Sequence, residues 1–149
     1  MTKDLWFLDT LVRLQVSHGD DADGISLIDS RARRGDSPPL HVQGEGEVFC
    51  VLEGEMTVRI ADVDHHVGAG ETCLVGGGVA HTYRVDSEES RCLAITTHGQ
   101  FEGLVRALGR PATGAELPTP SGPPGPQQME TLVATAREHG IEIVGPPMT

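Results

Sequence analysis

Five side chains in two stretches of the chain have the types and spacing to gather around a cation. His41, Gln43 and Glu47 lie in the first stretch, and His81 and Tyr83 in the second. Within each stretch they stand at even separations, and side chains two apart on a β-strand share a face. Each set can therefore point into one cavity. Two imidazoles and a carboxylate converging inside β-structure form a ligand set for a divalent transition metal. A buried Glu without a positive partner is costly, which favours a cation between these groups. Gln43 adds an amide oxygen, a neutral and weaker donor than imidazole. It either binds as a fourth ligand or steps back to hydrogen-bond a bound water. The second case leaves His41, Glu47 and His81 as a two-His-one-carboxylate set, the arrangement of non-haem Fe(II) oxygenases. Glu45 shares the parity of Glu47 and competes with it, although Gly44 and Gly46 mark a loop there.

Phe49, Val51, Met56, Val58 and Tyr83 share the inward phase and are expected to line the substrate pocket. Tyr83, two residues beyond His81, would carry a hydroxyl near the metal and joins Glu47 as a candidate catalytic residue. Trp6, Phe7 and Phe101 either cover the mouth of the pocket or pack. His65 and His66 are adjacent, so on a strand they face opposite sides and cannot both be ligands. They read as a surface hairpin. His98 follows the last core strand, and His18 and His139 are expected to face solvent. Cys50 has the opposite parity from Glu47 and belongs outside the cavity, while Cys73 and Cys92 read as small buried hydrophobes.

The elements that must position these residues are short. Residues 5–17 and the Gly-Asp-Asp-Ala-Asp-Gly turn at 19–24 predict two early strands around that turn, with a third from Ile25 to Arg33. Ser37-Pro38-Pro39 breaks the backbone ahead of His41. Phe49–Gly54 reads as a strand entering a tight turn. Met56, Val58 and Ile60 alternate with Thr57 and Arg59, the period of a half-buried strand. Residues 61–70 read as a turn-rich return, Thr72–Val75 as a short strand and Gly76–Gly78 as a flexible corner. His81–Val85 and Arg91–Thr97 complete the sheet. Strands at this spacing predict a barrel or sandwich rather than βαβ units. Phe101, Leu104, Val105 and Leu108 have helical spacing, ended by Gly109 and Pro111. Residues 111–126 hold six prolines and three glycines and read as an extended linker. Met129, Leu132, Val133 and Ala136 repeat the helical pattern, and Gly140 is placed to end it in the left-handed conformation. The chain thus divides into residues 1–110 (barrel and first helix), 111–126 (linker) and 127–149 (second helix and tail packed on the barrel), one domain overall.

Composition narrows the partners. The chain has 149 residues, one domain's worth, and a net charge of −11, which repels phosphate backbones and argues against nucleic acid. No apolar stretch approaches the roughly 20 residues that span a bilayer, so no membrane is expected. Asp4 and Asp9 interrupt the only apolar run near the N-terminus, which is then no signal peptide. Three cysteines at no metal or redox spacing suit a cytoplasmic protein with reduced thiols.

The two stretches together resemble the paired signature motifs of the cupin superfamily. The first motif runs Gly, five residues, His-x-His, three or four residues, Glu, six residues, Gly; Gly35, His41, Glu47 and Gly54 fall on it. Its six-residue gap to Gly54 selects Glu47 over Glu45. The second runs Gly, five residues, Pro-x-Gly, two residues, His, three residues, Asn; Gly70, Gly78 and His81 fall on it. Gln43, Gly76 and Val85 depart from the motifs, and only Gln43 touches the metal position. The early Trp-Phe-Leu strand, Pro-Pro-x-His, Thr-x-x-x-Phe-Glu and the final Glu-His-Gly-Ile-Glu-Ile-x-Gly-Pro-Pro resemble small single-domain cupins of the quercetin 2,3-dioxygenase type. The resemblance implies an all-β fold: a double-stranded β-helix (jelly-roll) barrel with two short C-terminal α-helices. It implies one divalent transition metal (Fe, Mn, Ni, Co, Cu or Zn) held by His41, Gln43, Glu47 and His81. It also implies a homodimer and a small aromatic, flavonol-like or polyketide-like substrate that is oxygenated. Glu47 would take the proton of the substrate's enolic hydroxyl as general base. The alternatives keep the pocket but not the oxygen chemistry: an isomerase, cyclase or decarboxylase, or a non-catalytic small-molecule binder with a vestigial metal site.

Overall fold

A computed structural model describes residues 3–18 and 24–149. Its strands divide between two antiparallel sheets. The larger contains β1 (Lys3–Phe7), β2 (Thr10–Val16), β3 (Ser26–Arg33), β5 (Glu47–Glu53), β8 (Thr72–Val75), β10 (Glu89–Thr96) and β11 (Arg110–Pro111), in the order β11-β1-β2-β3-β10-β5-β8. The smaller contains β4 (Leu40–Gln43), β6 (Glu55–Ile60), β7 (Val63–Gly68), β9 (His81–Val85) and β12 (Ile141–Gly145), in the order β12-β4-β9-β6-β7. Helices α1 (Gln100–Leu108) and α2 (Pro126–Glu138) complete it. The sheets share one core in a jelly roll: Phe49 and Val51 of β5 meet Met56 and Val58 of β6 and Val85 of β9. The alternation that places them is plain in β10, where Ser90, Cys92, Ala94 and Thr96 are buried and Arg91, Leu93 and Ile95 are half-buried on the other face.

Three elements differ from the sequence expectation. Both early strands precede the turn at 19–24, most of which lies outside the described residues. They form a hairpin closed at Leu8–Asp9. Leu8 takes φ 53, a left-handed conformation that usually announces itself by Gly or Asn, so the turn had no signal. Residues 61–70, read as a turn-rich return, contain β7, paired along all of β6, so the surface hairpin expected at His65 and His66 is this β6–β7 pair. Strand β7 is an edge strand, wet on both faces at Val63–His66, and it shows no apolar period; its hairpin turns at Ala61, again with φ 53. The tail forms β12, pairing Ile141 with Gln43 and Ile143 with His41, so it buttresses the first motif.

Helix α1 is fastened by a buried carboxylate. Glu102 accepts hydrogen bonds from the hydroxyls of Ser17 and Ser26, from the backbone N–H of His18 and from Arg106. Burial would raise its pKa, but these donors outweigh burial and hold it at about 2. The folded value lies below the unfolded one, so the stabilisation is present above pH ~4.5 and is lost as pH falls toward 2. Glu102→Gln is expected to lower stability at neutral pH by roughly 2 kcal/mol, because an amide nitrogen would face donors. Urea titrations should also show a shallower loss of stability between pH 4.5 and 2 in the variant.

Candidate metal centre

His41 on β4 and His81 on β9 are direct cross-strand partners, with ring centroids 4.3 Å apart and planes inclined by 57°. Each ring is fixed from behind by a carbonyl two residues earlier. His41 Nδ1 lies 2.7 Å from the Pro39 carbonyl and His81 Nδ1 lies 2.9 Å from that of Val79. A carbonyl only accepts, so both Nδ1 atoms carry hydrogen and both Nε2 lone pairs are left for a ligand. This backing sets tautomer and orientation in metal-binding histidines. Glu47, the first residue of β5, brings Oε1 to 3.2 Å from His81 Nε2. Two donor atoms bound cis to one metal at about 2.1 Å stand about 3 Å apart, so this pair has the spacing of shared ligands. Without a cation the two share a proton. Burial raises Glu47; burial lowers His81, but its contact with Glu47 outweighs that and raises it. Burial, helped by His81, depresses His41 to about 4, leaving it a neutral ligand at physiological pH. Among the described residues no group of three or more His, Cys, Asp or Glu side chains is arranged to hold a metal ion as it stands. The ligand-spaced pair is Glu47 and His81, and the His41 ring lies beside it.

Gln43 is 2% exposed, and its Nε2 donates to Glu45 Oε2 at 3.0 Å. Its Oε1 is buried with no hydrogen-bond partner among the described residues. An orphaned amide oxygen costs about 1–3 kcal/mol and is the donor type that a cation or a metal-bound water would satisfy. The donor set therefore fits a divalent metal. Glu45, the competitor by parity, is committed elsewhere. Its carboxylate accepts the backbone N–H groups of His98, Gln100 and Phe101 at 3.1, 3.4 and 2.9 Å. It caps the N-terminus of α1, where Gly99 offers no side chain. The Gly76–Gly78 corner is a tight contact rather than a loose hinge. A Cβ on Gly77 would clash with the Gly44 carbonyl oxygen, and the Gly78 N–H donates to the Gln43 carbonyl.

A cavity of about 70 Å³ opens beside these groups, with His41 and Glu47 on its wall. Phe49, Met56 and Tyr83 line it. Val51 and Val58, expected on the same wall, are fully buried in the core between the sheets and do not line it; parity reports the face of a strand, not the depth along it. Gln43 and His81 also stand behind the wall rather than on it. Phe7 and Phe101 line the cavity in edge-to-face contact at 6.0 Å. Trp6 faces away, under Arg110, and donates to the Glu116 carbonyl. Tyr83 packs on Phe49 at 5.7 Å, and burial plus the nearby Asp36, Cys92 and Glu47 push its hydroxyl well above its usual pKa, so it stays a donor. His65, His66 and His98 are exposed and do not line the cavity. The sequence reading missed much of the wall, among it Leu8, Thr10, Asp36, Ser90 and Cys92. Cys92 had the parity to be found. Burial pushes its thiol up to about 12, so it remains a thiol.

Comparison with known proteins finds the same family likeness. A family model described as "Cupin domain" matches residues 31–98, which contain all four proposed ligands. A quercetin 2,3-dioxygenase of Bacillus subtilis is 27% identical over 111 residues, covering 74% of this chain. The match spans only 33% of that protein's length. Among solved structures, the polyketide cyclase RemF of Streptomyces resistomycificus is 25% identical with a TM-score of 0.54, covering 60% of this chain and 65% of that one. A predicted oxalate decarboxylase of Thermotoga maritima is 18% identical with a TM-score of 0.57, covering 66% and 92%. With its jelly-roll sheets and its paired motifs, the chain resembles the cupin superfamily and, within it, the quercetinase-type cupins.

Proposed function

We propose that this protein is a metal-dependent enzyme that oxygenates a small aromatic, flavonol-like or polyketide-like substrate. His41, Glu47 and His81 would hold one divalent transition metal, with Gln43 as a fourth ligand or as the holder of a bound water. The observation that carries this reading is the Glu47–His81 pair at 3.2 Å beside a histidine whose Nδ1, like that of His81, is tied to backbone. When bound, the metal makes a coordinated hydroxyl more acidic. Glu47 would accept that proton on its carboxylate; in the metal-free site its Oε1 lies 3.2 Å from His81 Nε2. Tyr83 keeps its hydroxyl hydrogen and can donate to a substrate oxygen. The apolar wall, with Phe49, Met56, Phe7 and Phe101, excludes water from the reacting atoms. A volume of about 70 Å³ is well below the several hundred Å³ of most ligand sites. A multi-ring substrate therefore requires the mouth to yield, and Leu8, in its left-handed turn on the cavity wall, is placed to do so.

Metal analysis and oxygen uptake test this. About one equivalent of metal per chain and consumption of oxygen with a flavonol are expected. Protein that takes up none of the six candidate metals would overturn the reading. A second reading, a non-oxidative cyclase, isomerase or decarboxylase, is favoured by Gln43 in the place of a histidine and by the likeness to RemF. It predicts metal and product without oxygen uptake. The homodimer implied by the cupin resemblance belongs to this proposal. Its support is an aliphatic row on the outer face of the larger sheet, Val16–Leu27–Ile95–Val48–Leu74, continuous across five paired strands. Leu74 in that row is 68% exposed. A two-fold axis would lay the row on its own copy, and sedimentation of the purified protein reads the outcome.

A further inference from the structure

The cavity has a second polar pole that the metal chemistry does not use. Asp36 lies in the turn after β3, and its side chain lines the cavity together with Thr10. Thr10 Oγ1 donates to Asp36 Oδ2 at 2.9 Å. Among the described residues Oδ1 has no protein hydrogen-bond partner, so the pair on the cavity wall keeps one oxygen to spare. Backbone pairing fixes where this pole lies. The Val85 N–H donates to the Asp36 carbonyl, and the Gly35 N–H donates to the Val85 carbonyl. Val85 ends the strand that begins at His81. Four residues of strand, about 13 Å of backbone, separate Val85 from His81. Between them β9 turns Tyr83 to the same side; Phe49, Met56 and Ala94 give the wall apolar surface, and Ser30, Ser37 and Ser90 also line it.

Glu45 and Glu102, which brace α1, have both oxygens occupied by protein donors, whereas Asp36 has one. A wall that is mostly apolar, with one carboxylate at Asp36 and another at Glu47, suits an elongated ligand with hydrogen-bonding groups at both ends. We propose that Asp36, held by Thr10, is a specificity-determining residue that hydrogen-bonds a hydroxyl at the end of the substrate remote from His41 and Glu47. The inference rests on the proposed function for what happens at the near pole. It extends that reading by naming the substrate class: a flat, multi-ring phenol with a distal hydroxyl. Burial raises Asp36 from the ordinary carboxylate range while Thr10 pulls it back, so its oxygens can accept from a hydroxyl or, when protonated, donate to one.

The test uses 3-hydroxyflavone and its 7-hydroxy and 4′-hydroxy derivatives, with binding measured on chelator-treated protein by ligand fluorescence. At least one derivative is expected to bind wild-type protein about tenfold more tightly than the parent. Asp36→Ala should bring that ratio to within twofold of unity, with affinity for the parent compound changed less than twofold. Asp36→Asn, which keeps a hydrogen-bonding group, should retain most of the ratio. Thr10→Val should reduce it at least threefold, and it decides the matter if Asp36→Ala fails to fold. Equal binding of all three compounds by the wild type, binding of none of them, or discrimination that survives these variants would overturn the inference. Because the assay contains no metal, a wrong metal reading shows itself separately, as absent metal uptake with the discrimination intact.

Discussion

Glu47→Gln is expected to cut turnover by about a thousandfold or more while leaving the fold intact. The size follows from the role: a positioned general base contributes on the order of 10²–10⁴, and this one also supplies the only anionic donor of the proposed ligand set. The fold survives because the variant loses a liability. With its folded pKa raised above its unfolded value, Glu47 contributes less to the stability of metal-free protein as pH rises through that folded value. An amide in its place can donate to His81 Nε2, whose ring hydrogen is already committed to the Val79 carbonyl. Metal-free variant should therefore melt at or above the wild-type temperature at pH 8, and the wild-type decline in stability toward alkaline pH should be absent. Three measurements separate the effects: metal content, melting temperature and turnover at saturating metal. Full turnover with metal restored would remove Glu47 from the chemistry. A collapsed melting temperature would instead mark it as a structural residue.

The parts of the site legible in the sequence are those fixed by strand phase. His41 and His81 came out of even spacing and glycine brackets, and so did Phe49, Met56 and Tyr83. Period two states which face a side chain takes, and nothing more. It could not separate Val51 and Val58, packed between the sheets, from Phe49 and Met56, which reach the cavity. It left Glu45 and Glu47 tied. The structure separates them through α1, whose first N–H groups claim Glu45 from more than fifty residues downstream. Asp36 was illegible for a related reason: it sits in a turn with no period, and its importance comes from Val85 and Thr10, two neighbours distant in sequence. Turns at Leu8 and Ala61 escaped because the chain there adopts a glycine-like conformation without glycine. Strand β7 escaped because an edge strand wet on both faces has no apolar stripe.

Gln43→His should tighten metal binding by about 10- to 100-fold, the range over which supporting contacts tune such sites. The surroundings are already built for it. Glu45 Oε2 now accepts the Gln43 amide N–H at 3.0 Å, and the same oxygen can accept a ring N–H from the introduced imidazole. That arrangement would leave the second ring nitrogen for the metal, a carboxylate–histidine–metal relay. The substitution also removes the amide oxygen that is buried without a partner. Competition against a chelator of known affinity reads the change, and Gln43→Met serves as the control that removes the donor without replacing it. If the introduced imidazole tightens metal binding and raises oxygen uptake with flavonols, the glutamine has drawn this chain away from oxygenation, and the non-oxidative reading gains. If it tightens metal binding and oxygen uptake does not change, the amide only moderates affinity. Equal metal affinity in wild type and both variants would mean that position 43 never reaches the cation, which reduces the centre to His41, Glu47 and His81.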